Sequence, residues 1–259
     1  MTLNDYVRRF MRPLEQHGMH AIPTRFASPL LRRCQSAKQP LEDRKAEFDA
    51  ATAQQPAFLA GVNVFGPAEA MLEKGAFLPG ISPGLRQLGD IVGDCQIVLA
   101  LDPLPHLFSS PVTQKLATRV RSVGWEAMFE MGWTEVVTAI SEAMPKADVL
   151  ILTSKGMALR SSEVLTRLFG PEGPPAEDPY WLLRQAMSET GNAVLDRLLR
   201  EGAVAPKTLA ELYGSFAVKP DVRDIETRLG IENITATLMI QRFEEDLEAI
   251  AKFPRTEIL

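Results

Sequence analysis

Three short apolar runs stand out along the chain: AFLAG at residues 57–61, QIVLAL at Gln96–Leu101 and ADVLIL at residues 147–152. None alternates strictly between apolar and polar positions. A continuous apolar run of strand length suits a strand covered on both faces by helices, as in a parallel sheet. The run at Gln96–Leu101 stops at Asp102-Pro103, and a segment with helical spacing, LPHLFSS, follows it. Ligands of open α/β sheets bind just beyond the carboxyl ends of such strands, so this turn is where a site is expected. Residues 19–22 form a shorter strand candidate, bounded by Gly18 and Pro23.

Between these runs the apolar positions recur at helical intervals. Leu3, Tyr6, Val7, Phe10 and Leu14 predict an amphipathic helix over residues 2–16, bent or broken at Pro13. Further helices are predicted over residues 40–53, 83–92, 112–120, 123–131, 134–144 and 161–169. Thr134 is a candidate N-cap, and Gly170 closes the last of these helices. The connections separating the three runs are long enough for helical crossovers. The runs are therefore expected to be neighbouring parallel strands with their carboxyl ends on one side.

Residues 170–179, GPEGPPAEDP, are the densest cluster of helix and strand breakers in the chain. Beyond it the pattern is helical, with helices predicted over residues 180–201, 221–229 and 234–253. The fold class read from the pattern is α/β: a small, mostly parallel sheet flanked by helices. Its α/β core spans residues 1–170, and a helical portion, residues 171–259, packs on the same domain.

Composition narrows the class. With 259 residues, 46% of them hydrophobic, the chain can bury a core without disulfide staples. Cys34 and Cys95 are far apart and share no ligand spacing with histidine, so they read as packed thiols rather than a zinc site. A net charge of −5 offers no basic footprint for nucleic acid. No stretch reaches the roughly 18 apolar residues of a membrane span, and the expectation is a soluble, cytoplasmic protein.

Candidate chemistry is sparse. His106, in the turn beyond Gln96–Leu101, is either a general base toward an acceptor hydroxyl or a surface histidine at a helix start. Asp102 reads as the cap of the helix that follows it. Lys155-Gly156, after the third run, is either a phosphate-binding turn or an ordinary one. Arg25, Arg32 and Arg33 form a small basic cluster, read as a solvated loop or salt-bridged helix face, with a phosphate or sulfated glycan as the alternative. His17 and His20 flank a glycine turn without an evident partner. Trp125 and Trp133 suit packing, with an acceptor platform as the alternative. Phe243 and Leu247 are expected to pack, while Glu244, Glu245 and Asp246 face water.

LALDPLPHLFSS, WTEVVTAISEAMP followed by ADVLILT, SSEVLTRLFG and FEEDLEAIAKFP are colinear along the chain, and together they resemble bacterial sulfotransferase-like proteins of the P-loop type. The resemblance implies sulfuryl transfer from 3′-phosphoadenosine 5′-phosphosulfate to a hydroxyl of a small molecule or glycan. It also implies two donor-binding elements. One is a glycine- and threonine-rich loop between a first strand and first helix. The other is an Arg-Asp-Pro-like turn whose arginine and a following serine hold the 3′-phosphate.

Ser109 lies at that serine's position, but Leu101 occupies the arginine's. No GxxxxGK[ST] occurs, and the first helix begins at about Thr2, so the strand and phosphate loop implied before it are expected to be missing, unless the start methionine was assigned too late. A hydrogen bond to a charged group is worth about 1.5–3 kcal/mol. Loss of the arginine alone thus costs roughly ten- to a hundredfold in affinity. The expected function is that of a sulfotransferase-like protein with a degenerate or truncated donor site. The alternative is a non-catalytic relative that keeps the fold to bind a partner or glycan. The resemblance also places the missing strand between residues 57–61 and Gln96–Leu101, and these two are expected to close up and pair directly.

Overall fold

The computed structural model describes residues 19–22, 24–59, 81–109, 118, 132–170, 178–218 and 222–259. The helices expected over 2–16, 112–120 and 123–131, most of the 170–179 breaker, and His17 and Trp125 lie outside these residues. In chain order, β1 (His20–Ile22) leads through α1 (Thr24–Cys34) and α2 (Leu41–Thr52) to β2 (Ala57–Leu59). Next come α3 (Ile81–Val92), β3 (Gln96–Leu101), α4 (Leu104–Ser109), α5 (Trp133–Ala143), β4 (Asp148–Thr153), α6 (Ser154–Leu159) and α7 (Ser161–Phe169). The remainder is α8 (Trp181–Ala186), α9 (Glu189–Glu201), α10 (Pro206–Phe216), α11 (Val222–Leu229), α12 (Asn233–Ile250) and β5 (Thr256–Ile258).

β3, β4 and β5 form a small parallel sheet with β4 in the centre, and helices cover both its faces. The sidedness of β4 explains its unbroken apolar run. Val149 and Ile151 enter the main core with Leu85 of α3, Val137 and Ile140 of α5, and Met239 and Phe243 of α12. Leu150 and Leu152 point the other way, into a cluster with Leu165, Leu168 and Phe169 of α7 and Trp181 of α8. All four strand residues are at most 3% exposed. Each contributes about 1.5–3 kcal/mol by burial. Residues of α11 and α12 fill the same core as the sheet, so these two helices pack directly against the strands.

The structure departs from the sequence pattern in several places. β2 does not pair with β3. It lies parallel to β1, with His20 opposite Ala57, and the two short strands form a sheet of their own. Direct closure was expected because unpaired buried backbone is costly, yet Gln96 and Ala100 of β3 are exposed, which removes most of that penalty. Edge strand β5 is a second departure: its residues Thr256, Glu257 and Ile258 carry no apolar run. The helix expected over 180–201 breaks at Met187, which forms an antiparallel bridge with Ala217, and Ser188 caps the resumed helix by accepting from the Gly191 N–H at 3.3 Å. α10, with Pro206 in its first turn, and α6 were not anticipated.

Two charge assignments also change. Asp246 is half-buried rather than turned to water. Its carboxylate accepts from the Trp133 N–H at 2.7 Å, the Thr134 hydroxyl at 2.5 Å and the Thr134 N–H at 3.4 Å. The first turn of α5 is therefore capped from α12, and Thr134 is a donor to that cap instead of the cap itself. The arginine cluster lies on α1, where Arg33 pairs with Glu47 of α2 at 2.6 Å, Arg32 donates to the Ser28 carbonyl at 3.4 Å and Arg25 stacks over the Phe26 ring. It is a salt-bridged helix face.

Candidate functional site

The carboxyl ends of β3 and β4 lie side by side, with Leu101 opposite Thr153. A polar residue follows each strand, Asp102 after β3 and Ser154 after β4, and these two meet. The Ser154 hydroxyl donates to Asp102 Oδ2 at 2.7 Å, and the Ser154 backbone N–H also bonds to the Asp102 carboxylate. Asp102 thus accepts from the first residue of α6 rather than capping α4, whose first bonds go to the Pro103 carbonyl from His106 and Leu107. Trp133 Nε1–H donates to the Asp102 carbonyl oxygen at 3.0 Å, tying the turn to α5.

Burial pushes the Asp102 carboxyl above its ordinary range, and the two bonds from Ser154 pull it partly back. Tyr213 of α10 feels the same enclosure: burial raises its phenol, and the nearby Asp102 charge raises it further. The polar centre of this end of the sheet is therefore an acid, a hydroxyl and a phenol, brought from residues far apart in sequence. Sequence reasoning gave Asp102 a local role and missed its partners. The signal available was that two apolar runs both end in short polar side chains, LD and TS.

His106 and Ser109 sit one turn apart on α4, which leaves this end of β3. His106 is half-buried and has an interaction partner, whereas the Ser109 side chain lies outside the described residues. Leu101, at the position where the resemblance implies an arginine, is 2% exposed and belongs to the main core. The ionisable residue that follows it in the chain is an acid, Asp102.

The Lys155-Gly156 turn is a structural element. Thr153 caps α6 by accepting from the Gly156 N–H at 2.9 Å. The Thr153 N–H and hydroxyl both reach the Leu259 carbonyl oxygen, at 2.9 and 3.2 Å. A Cβ on Gly156 would lie 1.9 Å from the Leu259 carbonyl carbon, so glycine is needed there for the chain after β5 to pass. Two N–H groups of this turn are held, that of Gly156 by Thr153 and that of Ser154 by Asp102.

An open cleft lies at the opposite, amino end of the sheet, lined by Asp94, Cys95, Lys146, Asp148 and Arg255. Arg255 and Asp148 pair there at 3.0 Å. Burial, then the charges of Asp148 and Asp94, raise the Cys95 thiol, which keeps it protonated and poorly nucleophilic. The cleft is exposed and its charges are mixed, whereas the chemistry of the strand ends is enclosed, so the two do not coincide. We take the strand ends as the candidate site, because convergent polar groups there are held by core elements. Among the described residues no cluster of three or more His, Cys, Asp or Glu is placed to hold a metal, and no helix is long and apolar enough to cross a membrane. No family model, curated protein or solved structure matches the chain.

Proposed function

We propose that this chain is a sulfotransferase-like protein that does not use 3′-phosphoadenosine 5′-phosphosulfate and instead binds a hydroxyl-bearing small molecule or glycan at the carboxyl ends of β3 and β4. One observation carries the reading: where a cation is needed for the 3′-phosphate, Leu101 is packed in the core and Asp102 follows it, its carboxylate held by Ser154. A carboxylate in a partly desolvated setting repels a polyanionic donor and accepts hydrogen bonds from hydroxyls. Gly156 supports the same reading, since its turn is filled by the Leu259 backbone.

A transferase would need donors aimed at the charge that develops on the transferring group. Here Lys155 is exposed on a six-residue helix whose Ser154 and Gly156 N–H groups are held by Asp102 and Thr153. The reading is tested by incubating the chain with labelled donor and a panel of simple alcohols, phenols and glycans. The expected outcome is no sulfuryl transfer above the uncatalysed rate, together with retention of a hydroxyl-bearing ligand that is lost in Asp102→Ala. Time-dependent transfer to any acceptor would overturn it.

A further inference from the structure

Arg44 of α2 is 6% exposed, and arginine is almost never buried to that degree without a paired charge. Both of its side-chain hydrogen bonds leave from Nη1, to the Cys34 carbonyl at 2.7 Å and to Gln87 Oε1 at 3.2 Å. Cys34 is the last residue of α1, so the first bond sets the guanidinium at the negative end of that helix, which offsets roughly half a unit charge. Gln87 is neutral. Glu47, one turn further along α2, is held by Arg33 at 2.6 Å. Among the described residues no carboxylate pairs with Arg44.

The edge of the guanidinium left over is a specific one. Nη1 lies on the side of Cδ, whereas Nε–H and one Nη2–H project in parallel from another edge, the fork that grips two oxygens of a carboxylate, phosphate or sulfate. The Arg44 Nε–H is enclosed and unpartnered, and so is the Nε2 amide nitrogen of Gln35, the residue after Cys34. The two side chains meet one turn of α3: Arg44 reaches Gln87, and Cβ, Cγ and Cδ of Gln35 lie 3.4–3.6 Å from where a Gly84 Cβ would stand. Buried donors are almost always paired, and an exception points to a water or an ion at the group. A water would satisfy one N–H and leave the charge uncompensated.

We propose that the corner between α1, α2 and α3 binds a tetrahedral inorganic oxyanion of the phosphate or sulfate type, with two oxygens on the Nε–Nη2 edge of Arg44 and a third on the Gln35 amide. Each donor then has an acceptor, and the buried cation has a counterion. The third contact selects a tetrahedral anion over a carboxylate, which offers only two oxygens. Gln35 is half-buried and its amide donates no hydrogen bond, so it turns at little cost to admit the anion and closes over it. The enclosure of Arg44 suits a free anion rather than a nucleotide. The corner shares no residue with the carboxyl ends of β3 and β4, so this site stands independently of the function proposed above.

The test is a phosphate titration of the whole chain, followed through the arginine Nε–H signals in heteronuclear NMR, at constant ionic strength set by chloride. The Arg44 signal should shift saturably with phosphate and with sulfate, and not with chloride. Gln35→Leu keeps bulk against Gly84 and removes one donor, so phosphate affinity should fall about tenfold or more, the worth of one hydrogen bond to a charged group. Arg44→Lys keeps the charge without the fork and should lose at least as much. Thermal melts give a second readout should that variant fail to fold. Phosphate and sulfate stabilise any folded protein by exclusion from its surface, whereas stabilisation by binding grows with the logarithm of concentration and should be lost in Gln35→Leu. The proposal is overturned by a shift of the Arg44 signal that is absent or does not saturate, by an equal response to chloride, or by saturable binding of acetate but not of phosphate. Undiminished phosphate affinity in Gln35→Leu, or equal stabilisation of that variant and the parent chain, would also overturn it.

Discussion

Replacing Asp246 by alanine removes a cap that joins two helices distant in sequence. In the native chain its carboxylate receives the Trp133 N–H at 2.7 Å and the Thr134 hydroxyl at 2.5 Å, with a weaker third contact from the Thr134 N–H at 3.4 Å. Loss of an N-cap costs about 0.5–2 kcal/mol, and each hydrogen bond to a charged group is worth about 1.5–3 kcal/mol. These overlap rather than add, because the site is half-buried and water replaces part of what is lost. The expected cost of Asp246→Ala is thus about 2 kcal/mol, and Asp246→Asn, which keeps an acceptor oxygen, should cost about 1 kcal/mol.

Val136, Val137 and Ile140 of α5 lie in the main core, so fraying of its first turn should be felt by the whole fold rather than locally. In a thermal melt followed by circular dichroism, about 2 kcal/mol corresponds to a fall of roughly 4–8 °C for a chain of this size. The neighbouring exposed Glu245→Ala serves as the control, with an effect within about 0.5 kcal/mol. A Gly132→Ala change should mimic part of the defect, since its Cβ would stand 3.2 Å from an Asp246 oxygen. If Asp246→Ala melts with the Glu245→Ala control, the cross-helix cap has no energetic weight and the reasoning fails.

Other expected outcomes follow from the same structure. Because the folded Asp102 carboxyl lies above its unfolded value, the native state binds that proton more tightly. Asp102 therefore lowers stability as pH rises from the unfolded value, about 3.9, through the raised folded one. Asp102→Asn should abolish this slope, so its stability relative to the parent chain should be greater at pH 7 than at pH 4 in urea titrations. Gly156→Ala should cost about 3 kcal/mol, the upper end for overpacking, because its Cβ would collide with the Leu259 backbone. Gly214→Ala, on an exposed position of α10 with nothing within 4 Å, should gain about 0.5–1 kcal/mol. Cys34 is 0% exposed, and burial raises both thiols, so a thiol reagent at pH 7 should modify Cys34 and Cys95 far more slowly in the native chain than in urea.

The parts of the fold legible in the sequence were those fixed by local pattern. β4 could be read because a strand buried on both faces is apolar throughout, β3 because Ile97–Leu101 is an unbroken apolar run, and α5 and α7 because their apolar stripes have a clear helical period. β5 was not legible: three half-buried residues, Thr256, Glu257 and Ile258, become a strand only because β4 offers an edge. The break at Met187 was hidden for the same reason, since the bridge to Ala217 lies outside the local window. At the candidate site the sequence located the turn after β3 but not its chemistry. Asp102 meets Ser154 and lies near Tyr213 only when β3, β4 and α10 converge. A local capping rule assigned that carboxylate to α4, which follows it directly, when the fold delivers α6 to it instead.

The proposed function requires that the carboxyl end of β3 lack the cationic site that a phosphoadenosine donor needs. Calorimetric titration of the chain with 3′-phosphoadenosine 5′-phosphate tests it without knowledge of any acceptor. With Leu101 in the core and Asp102 beside it, the expected dissociation constant is no tighter than about 1 mM, near −4 kcal/mol. A saturable isotherm with a micromolar dissociation constant would contradict it.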